Sequence, residues 1–409
     1  MKSHVSILSC LMVGLIVAAP VFAQDDVRGE LDYLKKRVAE LEKRLSAQEN
    51  RTVPMPAYTG KNPSAAALDA DIDAEFMNAG SGDQWFNKTS IGGYGEMHMN
   101  FNDDADDQID FHRWVLFINH EFTDNIRLVS ELELEHSLSG DGKNGEVELE
   151  QAYIEMGLGN GFTVKGGLFL TPIGILNEVH EPATFFGTER NLIEREIIPT
   201  TWWEGGLALT KTFEETGWQF DLAVHSGLNV PTVGGSAFRP RSGRQKVSQA
   251  NANEWASTVR VRYTGIPGLE IASSVQYQSD ITPDAAFSEK NDALLTEAHI
   301  DFRRGGFGLR ALGAVWSVDG ETPEALGLDE QWGYYIEPSY TFTFANGNKL
   351  GFFTRYSQMD GARGEITQWD AGVNYWPIDN VVFKADYSNV EVEGGDTSDS
   401  INLGIGYHF

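Results

Sequence analysis

From Thr89 to the C-terminus the chain repeats one unit: segments of about ten residues with apolar side chains at alternate positions. They are joined in turn by a tight turn and a longer polar connection. The tight turns fall at Thr123-Asp124-Asn125, Gly159-Asn160-Gly161, Glu214–Gly217, Ile266-Pro267-Gly268, Arg303–Gly306, Ala345–Asn348 and Pro377–Asn380. The longer connections fall near 102–108, 139–145, 171–200, 229–252, 280–289, 319–330, 360–365 and 393–398. A period of two suits a strand whose faces meet different surroundings. A soluble sandwich has no reason to place every long loop at one end, whereas a membrane barrel does. The expected fold is an all-β, transmembrane antiparallel β-barrel of about 16 strands over 89–409, with an N-terminal coiled-coil helix.

The clearer strands assign their own faces. In 126–138, Ile126, Leu128, Leu132, Leu134 and Leu138 oppose Arg127, Glu131, Glu133 and Glu135. In 255–264, Val259, Val261 and Tyr263 oppose Arg260 and Arg262, and in 380–392, Val381, Phe383, Ala385 and Tyr387 oppose Lys384, Asp386 and Ser388. A charge at mid-strand facing lipid costs roughly 2–4 kcal/mol, so these charges belong to the lumen. The expected lumen wall therefore includes Arg127, Glu131, Glu133, Arg260, Arg262 and Lys384. Aromatic residues, Trp202, Trp203, Trp218, Trp332, Tyr334, Tyr335, Trp369, Tyr375, Trp376 and Tyr407 among them, gather near strand ends, where headgroups favour such rings.

The two ends of the chain agree with export to a membrane. A basic start, an apolar run over Val5–Val17 and Pro20-Val21-Phe22-Ala23 read as a signal peptide, 1–23. Its Cys10 is the single cysteine, so the mature chain is expected to hold no disulfide. The ending Ile401-Asn402-Leu403-Gly404-Ile405-Gly406-Tyr407-His408-Phe409 is a strand closed by an aromatic residue, through which barrel-assembly machinery would be engaged. Over 24–50, Val27, Leu31, Leu34, Val38, Leu41 and Leu45 form a heptad seam with opposite charges in register, as in a parallel periplasmic coil of two or three chains; a single amphipathic helix is the other reading. Residues 51–88 read as a linker with a short helix carrying Leu68, Ile72 and Phe76.

The connection Thr171–Thr201 holds nine large apolar residues, from Ile173 to Ile198, beside Glu178, His180, Glu181, Glu189, Arg190, Glu194, Arg195 and Glu196. So apolar a loop is expected to be buried, and in a wide barrel the lumen has room. Glu178, His180, Glu189, Arg190, Glu194 and Arg195 are the expected constriction; packing against a neighbouring subunit is the alternative. Arg239, Arg241, Arg244 and Lys246 form a basic run that either collects anions or pairs with acidic neighbours or lipopolysaccharide. The net charge of −29 argues against a nucleic-acid partner. GxSxG, HExxH and phosphate-cradling loops are absent from the sequence, the histidines show no ligand-like spacing, and His225-Ser226 is a weak pointer to hydrolysis. No catalytic residue, metal or cofactor is expected.

The stretch Gly166-Gly167-Leu168-Phe169-Leu170-Thr171-Pro172-Ile173-Gly174, leading into a long loop midway through a barrel, resembles the phosphate-selective porin O and P family. The resemblance covers 89–409. It implies a 16-stranded trimeric porin with an inward loop. It also implies selection of phosphate by loop arginines (here Arg190 and Arg195) and a ladder of wall cations (here Arg127, Arg260, Arg262, Arg355 and Lys384). The chain departs from that pattern where Glu189, Glu194 and Glu196 flank both loop arginines and Glu131, Glu133 and Glu135 line a wall.

The expected function is an outer-membrane porin for passive diffusion of small hydrophilic solutes or ions, a homotrimer in contact with lipid and lipopolysaccharide in the outer membrane of a Gram-negative bacterium. A phosphate or anion channel and a structural or adhesive barrel with a plugged lumen are the alternatives.

Overall fold

This computed structural model describes Trp85–Phe409 apart from 141, 284–288 and 396, together with Lys36. The signal peptide, the heptad segment apart from Lys36, and the linker up to 84 lie outside the described residues. After a 3-10 turn at Trp85–Lys88 come sixteen strands. They are β1 (Thr89–Asn102), β2 (Gln108–Thr123), β3 (Ile126–Glu135), β4 (Val147–Gly159), β5 (Phe162–Leu170), β6 (Trp203–Phe213), β7 (Trp218–His225) and β8 (Ala256–Ile266). Then follow β9 (Leu269–Gln278), β10 (Ala293–Arg304), β11 (Phe307–Val318), β12 (Glu330–Thr343), β13 (Lys349–Asp360), β14 (Ile366–Ile378), β15 (Val381–Val392) and β16 (Thr397–His408). Two short helices lie in connections, α1 (Ile193–Glu196) and α2 (Glu321–Leu326).

Each strand pairs antiparallel with its neighbours in sequence, and β16 pairs with β1, so the sheet closes. Closure leaves no unpaired edge, which a hydrocarbon environment requires. At the seam Phe409 donates its N–H to the Gly93 carbonyl at 2.9 Å and accepts from Gly93 N–H at 3.0 Å.

The alternation read from sequence is the inside–outside alternation of the wall. Along β7, Trp218, Phe220, Leu222 and Val224 are exposed on the outer face, while Asp221, Ala223 and His225 are buried within. Along β16, Ile401, Leu403 and Ile405 face out and Asn402, Gly404 and Gly406 face in. The outer face is thus an apolar belt around a closed barrel, the arrangement of a membrane-spanning barrel. At the tight-turn end it is edged by Phe122, Phe162, Phe213, Trp218, Tyr340, Phe342, Phe352 and Tyr375, and at the loop end by Trp255, Tyr277, Tyr334, Trp369 and Tyr387.

Three aromatics expected in that edging are instead buried. Trp202 packs near Trp316 and donates from Nε1 to Glu204, Tyr335 donates its hydroxyl to Glu194, and Trp203 is buried at the start of β6. For Trp202 and Tyr335 burial is possible because the polar atom finds a partner, and composition does not reveal that partner. The segment expected to run through Leu138 also ends early. His136 and Ser137 have positive φ, 52° each, which breaks β3 after Glu135.

The barrel has an apolar core of its own inside the loop end. Ile173, Leu192, Ile193, Ile197, Ile198 and Trp202 pack with Leu228, Val230 and Phe238 of the next long loop, with Ile281, and with inward residues such as Leu295, Leu312, Trp316 and Met359. Each fully buried side chain of this size contributes roughly 1.5–3 kcal/mol.

Candidate functional site

The connection after β5 folds into the barrel. Strand β5 stops at Leu170 because Pro172 has no N–H for the ladder. Gly174 follows at φ 75°, where an added Cβ would sit 2.8 Å from a Glu194 oxygen. The two ends of the loop are tied together: Thr171 N–H donates to Trp202 O, and the Asn177 amide bonds Thr171 O and both main-chain groups of Trp202. Glu194, fully buried on α1, accepts from the N–H groups of Ile175 and Leu176, from Asn191 Nδ2 and from Tyr335 Oη. The Asn191 amide oxygen accepts from Glu194 N–H and so satisfies the start of α1.

The barrel wall then clasps the loop by its backbone. Arg113 on β2 donates to His180 O, Arg310 on β11 to Thr184 O, and Asn374 on β14 to Phe185 O. Arg355 on β13 donates to Phe186 O and Lys384 on β15 to Gly187 O. In the opposite sense Thr188 N–H donates to Asp386 at 2.7 Å. Side chains from β2, β11, β13, β14 and β15 therefore converge on the backbone of 180–188. Gly187, at φ 80°, turns the chain beside Phe353 and Arg355.

The expected wall cations are engaged by neighbouring side chains or by the loop. Arg260 pairs with Asp221 and with Glu178 of the loop, Arg355 with Glu337 and Asp370, Arg262 with Gln219, and Arg127 with Glu155 near the tight turns. Of the expected constriction residues, His180 is buried 3.5 Å from Glu131 and 3.4 Å from Glu150. It anchors the loop, as Glu194 does, and neither side chain lines a passage. Glu189, about 39% exposed, reaches His98 at 3.1 Å. Arg195 remains about one-third exposed, 3.6 Å from Glu196. Arg190 makes no hydrogen bond or salt bridge among the described residues.

The basic run divides in two. Arg239 pairs with Glu196 at 2.7 Å and Lys246 with Glu146 and Glu148. Arg241, by contrast, donates to Arg195 O and Thr200 O, and Arg244 to Thr201 O. Burial lowers the pKa of Arg190, Arg241 and Arg244, and the charge of Arg190 lowers both of the others further. Glu135, Glu148 and Glu150 on the facing wall act the other way on Arg244. Arg241 and Arg244 of one loop are therefore held by main-chain carbonyls of the other. The loop residues were legible in the sequence; their meeting with Arg241 and Arg244 was not, because no periodicity relates two loops.

The pair His225-Ser226 is not assembled for catalysis: His225 Nε2 meets Thr258 and Ser226 Oγ donates to Glu204. Three other histidines, His98, His112 and His136, do gather, although they lie on β1, on β2 and just after β3. His98 and His112 stack at 4.6 Å, and His112 meets His136 edge-on at 5.8 Å.

No family model matches the chain. An uncharacterized protein of Aquifex aeolicus (strain VF5) is 27% identical over 351 residues, covering 78% of this chain and 80% of that protein. Among solved structures, an anion-selective porin from Comamonas acidovorans is similar with a TM-score of 0.57 at 11% identity, over 78% of this chain and 99% of that one. OmpF of Salmonella typhi, solved with daunomycin, gives 0.55 at 14%, over 78% and 97%. A loop-deleted OmpT, an outer membrane protein of Vibrio cholerae, gives 0.53 at 13%, over 78% and 99%. At such identities the likeness establishes a shared barrel fold.

Proposed function

We propose that this chain is an outer-membrane porin, a passive channel for small hydrophilic solutes or ions in the Gram-negative envelope. The observation that carries the reading is a closed, apolar-belted barrel whose inward side chains hold the backbone of a charged loop. Such a loop narrows a wide barrel to a selective passage. The loop arginines Arg190, Arg241 and Arg244 are the groups that would set the selectivity of the passage. The barrel assembles as a homotrimer, supported by the heptad seam of 24–50, and its closing strand ending in Phe409 is read by barrel-assembly machinery. Anion selectivity is the favoured refinement, because Arg190 is unpaired among the described residues and its two loop neighbours are bound by carbonyls rather than carboxylates. A phosphate preference would be its narrower form.

Single-channel current across a planar bilayer under a KCl gradient tests this. Conductance in triplet steps is expected, with a chloride-leaning reversal potential. Replacing 182–191 by a short Gly-Ser bridge should raise the conductance. A silent, correctly folded barrel would overturn the channel in favour of a plugged, structural one, and an unchanged conductance in the bridged variant would remove the loop from the constriction.

A further inference from the structure

The gathered histidines have a local cause. The β1–β2 ladder pairs Glu96 with Arg113 and then His98 with Asp110, so Phe111 and His112 together oppose the single residue Met97. This is a β-bulge, which lets successive residues take the same face. Arg113 and Asp110 face the lumen as partners of inward residues, and the bulge brings His112 in beside them, stacked on His98. His136 follows the end of β3, where its N–H donates to His112 O at 3.0 Å and its φ of 52° swings the ring back over β2.

Three ligand atoms converge as a result. His136 Nδ1 lies 2.8 Å and His112 Nδ1 3.4 Å from the same oxygen, Asp110 Oδ2, and all three atoms lie within 4.8 Å of one another. A tetrahedral ion with bonds of 2.0–2.1 Å holds its ligand atoms about 3.3 Å apart. The three side chains are between about a quarter and two-fifths exposed, so the place is open to water and a fourth position is free. His98 is not a ligand: its two nitrogens face Glu96 and Glu189.

We propose that Asp110, His112 and His136 bind a zinc-class divalent cation at the loop-side mouth of the barrel. Two imidazoles and one carboxylate suit a borderline late first-row ion, whereas Mg2+ and Ca2+ prefer sites built from oxygens. Three protein ligands with an open position mark an exchangeable site rather than a closed structural one. The site is independent of whether the barrel conducts.

The test uses the mature full-length chain, made without a polyhistidine tag, refolded in micelles and stripped with chelator. Calorimetric titration with Zn2+ should show one equivalent bound well above background, with no response to Mg2+. Asp110→Asn and His136→Gln should each weaken binding at least tenfold, and His120→Gln, on the same strand but bonded to Thr89, should leave it unchanged. Co2+ added to the native protein should give the visible bands of a four-coordinate site. Equal Zn2+ binding by wild type and a His112→Gln/His136→Gln double variant would overturn the proposal. Should that variant not fold, a Co2+ spectrum of the native chain without four-coordinate bands would overturn it equally.

Discussion

Glu194 is the residue on which the inward loop turns. Its two oxygens accept four hydrogen bonds from three parts of the chain, three of them buried. A buried donor left without its acceptor costs about 1–3 kcal/mol. Glu194→Ala should therefore destabilise the barrel by about 3 kcal/mol or more, read as a lower urea midpoint in micelles. Glu189→Gln, at a half-exposed carboxylate, should change conductance and leave that midpoint in place. Equal midpoints for wild type and Glu194→Ala would show the loop to be held by its apolar contacts alone. The sequence distinguishes these glutamates poorly. Both stand in the same charged run, and what separates them is that one meets Tyr335, far along the chain, while the other reaches His98 near a mouth. The short-range part was legible: Pro172 ending a strand and Gly174 turning the chain follow from the residues themselves.

At the scale of the element, the loop carries a pH-sensitive fastening. His180 lies on the loop, outside the spanning strands, with Glu131 of β3 and Glu150 of β4 at its ring, Tyr94 of β1 edge-on at 6.0 Å, and Arg113 of β2 on its carbonyl. Burial alone would keep the ring neutral; the two carboxylates outweigh burial and lift its pKa from the ordinary 6.5 to about 9. A raised pKa means that the folded state binds the proton more tightly. The fastening is then complete below pH 6.5 and is lost progressively as the pH climbs through 9, a loss of about 3 kcal/mol at most. The urea midpoint should fall between pH 6.5 and 9.5 in the wild type and fall less in His180→Gln. Parallel pH profiles for the two proteins would refute the fastening. The strands themselves were readable because a period of two is local and repeats in every segment. The contacts of the loop were not, because they depend on which inward residues the closed barrel sets opposite it. The β2 bulge and the break after Glu135 escaped for a related reason: each departs by one residue from the periodicity that reveals everything around it.

For the whole molecule, charge of both signs is taken inside and to the rims, and the outer belt is left to apolar side chains. That division, more than any single contact, makes a chain with mean hydropathy of −0.30 and net charge −29 a membrane barrel. Neighbouring residues on the closing strand test it. Leu403 faces outward midway along β16, whereas Asn402 faces inward and bonds Asp386. In lipid vesicles Leu403→Arg should cost roughly 2–4 kcal/mol of folding free energy, since a guanidinium at the bilayer midplane has no partner. In a soluble barrel the same exposed position would accept arginine nearly without cost. Asn402→Arg places the same charge one residue away but beside Asp386, and should be the better tolerated of the two in vesicles. The comparison controls for strand propensity and for side-chain size, because both variants introduce arginine into one strand. If Leu403→Arg folds as well as wild type in vesicles, β16 does not face hydrocarbon there, and that stretch of the belt lies against protein, as a subunit interface would require.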